Sequence, residues 1–268
     1  MSGFPERIVC LTEETTETLY LIGEEWRIVG ISGFTVRPPR ARKEKPRVSA
    51  FTSAKIERIL ALRPDLVLGF SDLQADIAAC LVRAGIEVHV FNQRSIQDIL
   101  RMIRVLGGML GCERKTDALI QRLTAALQGV KERAAALPRR PRVYFEEWDV
   151  PQITAIRWVS ELVVLAGGES CFPELALQPM GRERIIADPL EVPRRAPDII
   201  LGSWCGKKFQ PAQVAQRPGW GAIPAVRSGF IREVKSPLIL QPGPAALTDG
   251  VAAIQAVIEE WAASQAHP

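Results

Sequence analysis

One helix–turn–strand unit occurs twice in this chain. Ile56–Gly69 reads IERILALRPDLVLG and Pro189–Gly202 reads PLEVPRRAPDIILG, sharing Pro-Asp, three aliphatic residues and a glycine. Proline has no N–H to donate and restricts the residue before it, so each Pro-Asp closes a helical stretch. The aliphatic run suits a strand buried on both faces, and the glycine ends it. Two such units predict two α/β lobes, each with a strand that opens into a loop.

The rest of the chain fits that plan. Arg7–Leu11 and Arg27–Ile31 read as strands, with a short helix from Thr12 to Gly23 between them. Ser32–Pro46 is a Pro- and charge-rich loop, and a helix from about Ser53 enters the first repeat. Leu66–Gly69, a helix over Asp76–Ala84 and a strand at Glu87–Phe91 complete the first lobe. Alternation of this kind predicts a doubly wound parallel sheet. A helix from Ser95 is expected to be interrupted at Gly107-Gly108. A second runs from Glu113 to Leu137, about 37 Å at 1.5 Å per residue, and reads as a strut between lobes. The second lobe opens with a strand at Arg142–Phe145 and a loop at Glu146–Pro151. A helix over Arg157–Ala166, the second repeat, a strand at Phe230–Val234 and a closing helix over Thr248–Trp261 follow. The expected fold class is α/β, two doubly wound parallel-sheet lobes joined by one long helix. The expected boundaries are 1–110, 111–138 and 139–268.

In 268 residues, 47% are apolar and 24% charged, the balance of a soluble globular protein, and no run is long enough to span a bilayer. A formal charge of +4 argues for neither nucleic acid nor membrane insertion. Cys10, Cys80, Cys112, Cys171 and Cys205 are scattered singly, so reduced thiols are expected and no metal site is recognisable. The opening MSGFPERIVCLTEETTE has no basic n-region or apolar h-region. The expected location is cytoplasmic as the sequence stands, or periplasmic if a signal has been removed.

Ligands of open α/β sheets bind beyond the carboxyl ends of the strands. In one half, Glu13, Glu14, Phe34, Arg37, Phe51 and Phe70 fall there. In the other, Glu147, Trp148, Arg157, Trp204 and Cys205 do. With only 6 Trp, 2 Tyr and 9 Phe in the chain, this share of aromatics predicts a cleft for a large, partly apolar small molecule. Each aromatic alone is equally explained by packing under its loop. The pairs Glu13-Glu14 and Glu146-Glu147 are better read as partners for ligand amides than as acid and base. Cys205 is more simply an unreactive thiol. His89, mid-strand, reads as a structural residue rather than an axial ligand, and His267 lies in the tail. The stretch Arg37–Arg47, with one acid (Glu44), is a solvated loop or an attractor of anionic ligand groups. No P-loop, G-x-S-x-G elbow, H-E-x-x-H or dinucleotide fingerprint occurs, and no enzyme is predicted.

From about Pro5 to Ala262 the chain resembles the helical-backbone substrate-binding proteins of ABC importers, most of all their cobalamin-binding branch. The likeness rests on RIVCLTEETTETLYLIG, VSAFTSAKIERILALRPDLVLGF, WVSELVVLAGG and RRAPDIILGSW. It implies two lobes, little movement on binding, and a corrinoid held between the lobes, with no catalytic cofactor. It also implies corrin contacts at Phe51 and Phe70, and permease docking through an acid on each lobe. Glu57 matches the first acid. The second position holds Leu190, with Glu191 beside it. A monomer with a corrinoid ligand and an ABC permease partner is therefore expected. Two alternatives stand beside it: a ferric siderophore or haem in the same fold, and a cytosolic tetrapyrrole-processing enzyme or chaperone.

Overall fold

A computed structural model describes residues 3–265. The chain divides into two compact units. One comprises residues up to Gln93, Gln97–Leu123 and Pro242–Pro244; the other comprises Arg94–Ile96, Thr124–Gln241 and the chain from Ala245 onward.

In the first, β1 (Ile8–Cys10), α1 (Glu13–Leu21), β2 (Ile28–Ser32), α2 (Ala41–Glu44) and β3 (Arg47–Ser49) follow in order. Next come α3 (Ile56–Ala61), β4 (Leu66–Phe70), α4 (Ala75–Arg83), β5 (Val88–Phe91) and α5 (Ile96–Leu110). The sheet order is β3-β2-β1-β4-β5, every pair parallel. Its core gathers Val9, Leu11, Val48, Ile59, Val67, Ile77 and Leu81. Two expectations are corrected. The basic loop contains α2 and leads into a third strand, β3, at one edge of the sheet. Helix α5 also runs unbroken through Gly107-Gly108, because Gly107 is where Thr116 of the next helix approaches. A Cβ on Gly107 would lie 2.1 Å from the Thr116 hydroxyl.

Helix α6 (Glu113–Ala135) divides between the units at Leu123. The second unit then holds β6 (Arg142–Asp149), β7 (Gln152–Thr154), α7 (Arg157–Leu165), β8 (Glu169–Ser170), α8 (Pro173–Ala176) and α9 (Glu191–Arg195). After these come β9 (Ile199–Gly202), α10 (Pro211–Ala215), α11 (Pro224–Arg227), β10 (Ile231–Glu233), α12 (Ser236–Ile239) and α13 (Val251–Gln265). A π-helical turn over Ala246–Gly250 leads into α13. The sheet order is β10-β9-β6-β7, with β8 beside the start of β6. It is parallel except for β7, which pairs antiparallel with the end of β6. Glu146–Asp149 is therefore strand rather than the expected loop.

The repeated unit has the same construction in both halves. Each copy leaves its helix through a left-handed residue, Arg63 (φ 46°) or Ala196 (φ 42°), just before the proline. Each aspartate then pins the first strand of its own sheet. Asp65 accepts the Arg7 N–H at 2.9 Å and Asp198 accepts the Arg142 N–H at 2.8 Å. Their own N–H groups donate to the carbonyls of the same two residues. The repeat strand is thereby registered against β1 in one sheet and β6 in the other.

Candidate functional site

Strand order locates the binding ends. In the first sheet the chain steps from β1 to β2 and β3 on one side, then to β4 and β5 on the other. The direction reverses between β1 and β4, and such a reversal opens a crevice at the carboxyl ends. Leu11 N–H donates across it to Leu68 O at 2.8 Å. Thr12, Glu13 and Glu14 leave β1 here. Thr12 sits at the start of α1, but its hydroxyl donates to Glu14 Oε1 at 2.7 Å instead of capping the helix. Glu14 is 1% exposed. Gln93 Nε2 lies 3.5 Å from its Oε1 and donates to Pro242 O at 3.1 Å. Burial pushes the Glu14 carboxyl up to about 7. Glu13 is also buried.

On the β4 side of the reversal, Ser71 leaves the strand at φ 60°, ψ 177°, a conformation nearly confined to glycine and costing about 1–3 kcal/mol. Such strain concentrates at ligand-binding loops. Phe70 beside it is buried, and Phe51, after β3, is half-buried. Gln74 fastens the two segments together: its Oε1 accepts the Phe70 N–H at 2.9 Å and its Nε2 donates to Phe51 O at 2.8 Å. Phe34, after β2, is 55% exposed. Arg37 donates to Glu17 Oε1 at 2.8 Å and lines a surface hollow of about 250 Å³ with Tyr20 and Arg40.

The second sheet reverses between β6 and β9, where Ser203 N–H donates to Glu146 O at 2.9 Å. Glu146 is fully buried. It accepts from Tyr144 Oη (2.9 Å), Trp204 Nε1 (3.0 Å), Arg217 Nη1 (2.5 Å) and Arg217 Nη2 (2.9 Å). Glu147 pairs with the buried Arg184 at 2.6 Å. Both carboxylates thus hold the fold. Trp148 is half-buried, with its indole N–H on Val150 O. Trp204 departs from expectation: it is 3% exposed, held edge-on by Phe209 at 4.9 Å and by the bond to Glu146. Cys205 is exposed. Arg157 is exposed and pairs with Glu161 one turn along α7. It borders a groove of about 760 Å³ formed by α6, α7 and α8, not by the strand ends.

Sequence reasoning missed Gln74, Asp149, Arg184, Lys207 and Arg217. Of these, Lys207 carried a legible signal, as a cation three residues after Trp204. Among the described residues no cluster of three His, Cys, Asp or Glu is placed to hold a metal. His89 lies within β5, edge-on to Phe91 at 4.3 Å, and burial lowers its pKa. His267 lies outside the described residues. Glu57 is exposed in the first turn of α3, whereas Glu191 pairs with Arg194 at 3.2 Å on its own helix. Among the described residues no helix is long and apolar enough to cross a membrane.

The chain is 26% identical over 257 residues to an uncharacterized ABC transporter substrate-binding lipoprotein of Bacillus subtilis, covering 92% of this chain and 78% of the relative. It is 25% identical over 226 residues to the vitamin B12-binding protein of Pectobacterium atrosepticum, covering 81% and 78%. Its fold matches a periplasmic heme-binding protein from Pseudomonas aeruginosa with a TM-score of 0.80 at 21% identity, covering 95% and 93%. The periplasmic binding protein family model matches residues 8–238. The chain belongs to the periplasmic binding protein family.

Proposed function

We propose that this chain is a non-catalytic binding protein for cobalamin or a related corrinoid. The observation that carries the reading is the division of labour at the two strand reversals. Flat side chains stand at or just beyond the strand ends (Phe34, Phe51 and Phe70 in one unit, Trp148 and Trp204 in the other), while Glu146 and Glu147 are committed to Arg217 and Arg184. Aromatic faces with a few fixed polar groups suit a broad macrocycle with an amide rim. The B12-binding relative supports the same choice of ligand. Glu13, Glu14, Arg37 and Cys205 supply or support the polar contacts in this proposal, whereas Glu147 and Arg157 are engaged by Arg184 and Glu161.

The heme-binding neighbour favours haem as the second reading. Haem proteins hold iron through an axial His, Tyr, Cys or Met. Here Tyr144 is buried on Glu146, Tyr20 donates to Glu44 and His89 lies within a strand, while the thiol of Cys205 is exposed beside Trp204. Corrinoid, which brings its own axial ligand, is the better match. Titrating the protein with hydroxocobalamin, followed by calorimetry and visible absorbance, tests the reading. One-to-one binding tighter than that of haemin is expected. No heat and no spectral change at tens of micromolar would remove the corrinoid assignment. For transport, we propose that Glu57 docks on an ABC permease.

A further inference from the structure

We propose that Lys207 is a displaceable cap over the Trp148–Trp204 surface, which a flat macrocyclic ligand must replace in order to bind. This rests on the corrinoid reading and names the group that sets access to its second-unit contact. The Lys207 ammonium stands 4.6 Å from the centre of the Trp148 ring and 4.7 Å from that of Trp204, and 2.5 Å from Asp149 Oδ1. An ammonium over an indole face is attracted by the ring quadrupole, and Asp149 holds it in place. Trp204 itself cannot turn, because its N–H is bonded to Glu146 and its edge lies against Phe209.

The segment carrying Lys207 is built to swing. Cys205, Gly206, Lys207 and Lys208 are all exposed, between the buried Trp204 and the buried Phe209. Those two anchors touch each other, so Gly206, Lys207 and Lys208 can move without unpacking the core. Gly206 takes φ 80°, and no atom lies within 4 Å of where its Cβ would be. Lys207 keeps 41% of its side chain in solvent while Asp149 keeps 13%. The cation is thus the partner that water can take back, and Trp204 is the aromatic surface that its departure exposes. A ligand whose conjugated face stacks on these indoles competes with an intramolecular occupant, so its apparent affinity is its intrinsic affinity multiplied by the fraction of molecules left open.

Lys207→Ala and Asp149→Asn should each raise the hydroxocobalamin association rate and affinity about three- to tenfold. The double variant should gain no more than Lys207→Ala alone, because both act through one cap. Lys207→Arg should bind like the parent protein. Equal or weaker binding by Lys207→Ala, with its melting temperature unchanged, would overturn the proposal by making Lys207 a ligand contact or a bystander. The second readout needs no ligand: acrylamide should quench the tryptophan emission of Lys207→Ala more strongly than that of the parent. If the parent binds no corrinoid, the functional reading fails while quenching still judges the cap. Unchanged quenching would refute it.

Discussion

At the scale of the residue, the carboxylates beside the two strand reversals have opposite electrostatics. Glu146 is surrounded by donors, including both Arg217 nitrogens, so burial is compensated there. Glu14 is equally buried but meets neutral donors, the Thr12 hydroxyl, the Gln93 amide and a backbone N–H, and burial raises its pKa from 4.5 to about 7. The sign follows from linkage. Between pH 4.5 and 7 the native state keeps a proton that the unfolded chain has lost, so stability falls as pH rises through that window. The slope is about 1.4 kcal/mol per pH unit, and the full loss of about 3 kcal/mol is reached above pH 7. Glu14→Gln, which keeps an acceptor for Thr12, should flatten this slope and stabilise the protein at pH 8, as read from urea midpoints at pH 5 and 8. An unchanged slope would show that Glu14 is not the titrating group. Neither behaviour was legible in the sequence, where both are acids leaving an aliphatic strand. Arg217 and Gln93 are far along the chain from the groups they meet.

At the scale of the element, the repeat was legible because Pro-Asp, an aliphatic run and glycine are local signals. What the aspartate does was not, because its partner is the backbone of a strand distant in sequence. Asp198 is 6% exposed and also serves Arg139 at 2.8 Å, whereas Asp65 is exposed. Asp198→Ala removes a buried acceptor that serves both the part-buried Arg142 N–H and Arg139 and should cost about 2–3 kcal/mol, against about 1 kcal/mol for Asp65→Ala, where water replaces the acceptor. Paired urea titrations decide it, and equal costs would mean that strand pinning does not depend on burial. The misread elements have physical causes too. Glu146–Asp149 looks polar enough for a loop, yet its backbone finds β7. Arg47–Ser49 is too short and basic to announce a strand, and exists because Ile31 and Ser32 pair with it. The glycines of α5 resemble a helix break, but Gly107 allows a close approach of Thr116.

At the scale of the whole molecule, both sheets put the repeat strand beside the strand that opens the unit, so the reversal and its aromatic loops recur. Part of that aromatic set was legible as composition; its accessibility was not, since Trp204 and Phe70 are buried while Phe34 and Phe51 reach solvent. Binding to the native state alone should therefore stabilise the protein in a manner that depends on the exposed members. Hydroxocobalamin at about 100 times its Kd should add about 2.7 kcal/mol to the unfolding free energy. Phe51→Ala, removing a half-buried contact, should weaken binding about tenfold and cut that gain to about 1.4 kcal/mol at the same ligand concentration. Trp26→Ala provides the control: this ring is 57% exposed, follows α1 rather than a strand's carboxyl end, and should leave the gain unchanged. Urea unfolding with and without ligand measures all three proteins. An undiminished gain in the Phe51 variant would place the corrinoid away from the β1–β4 reversal, whatever its affinity for the parent.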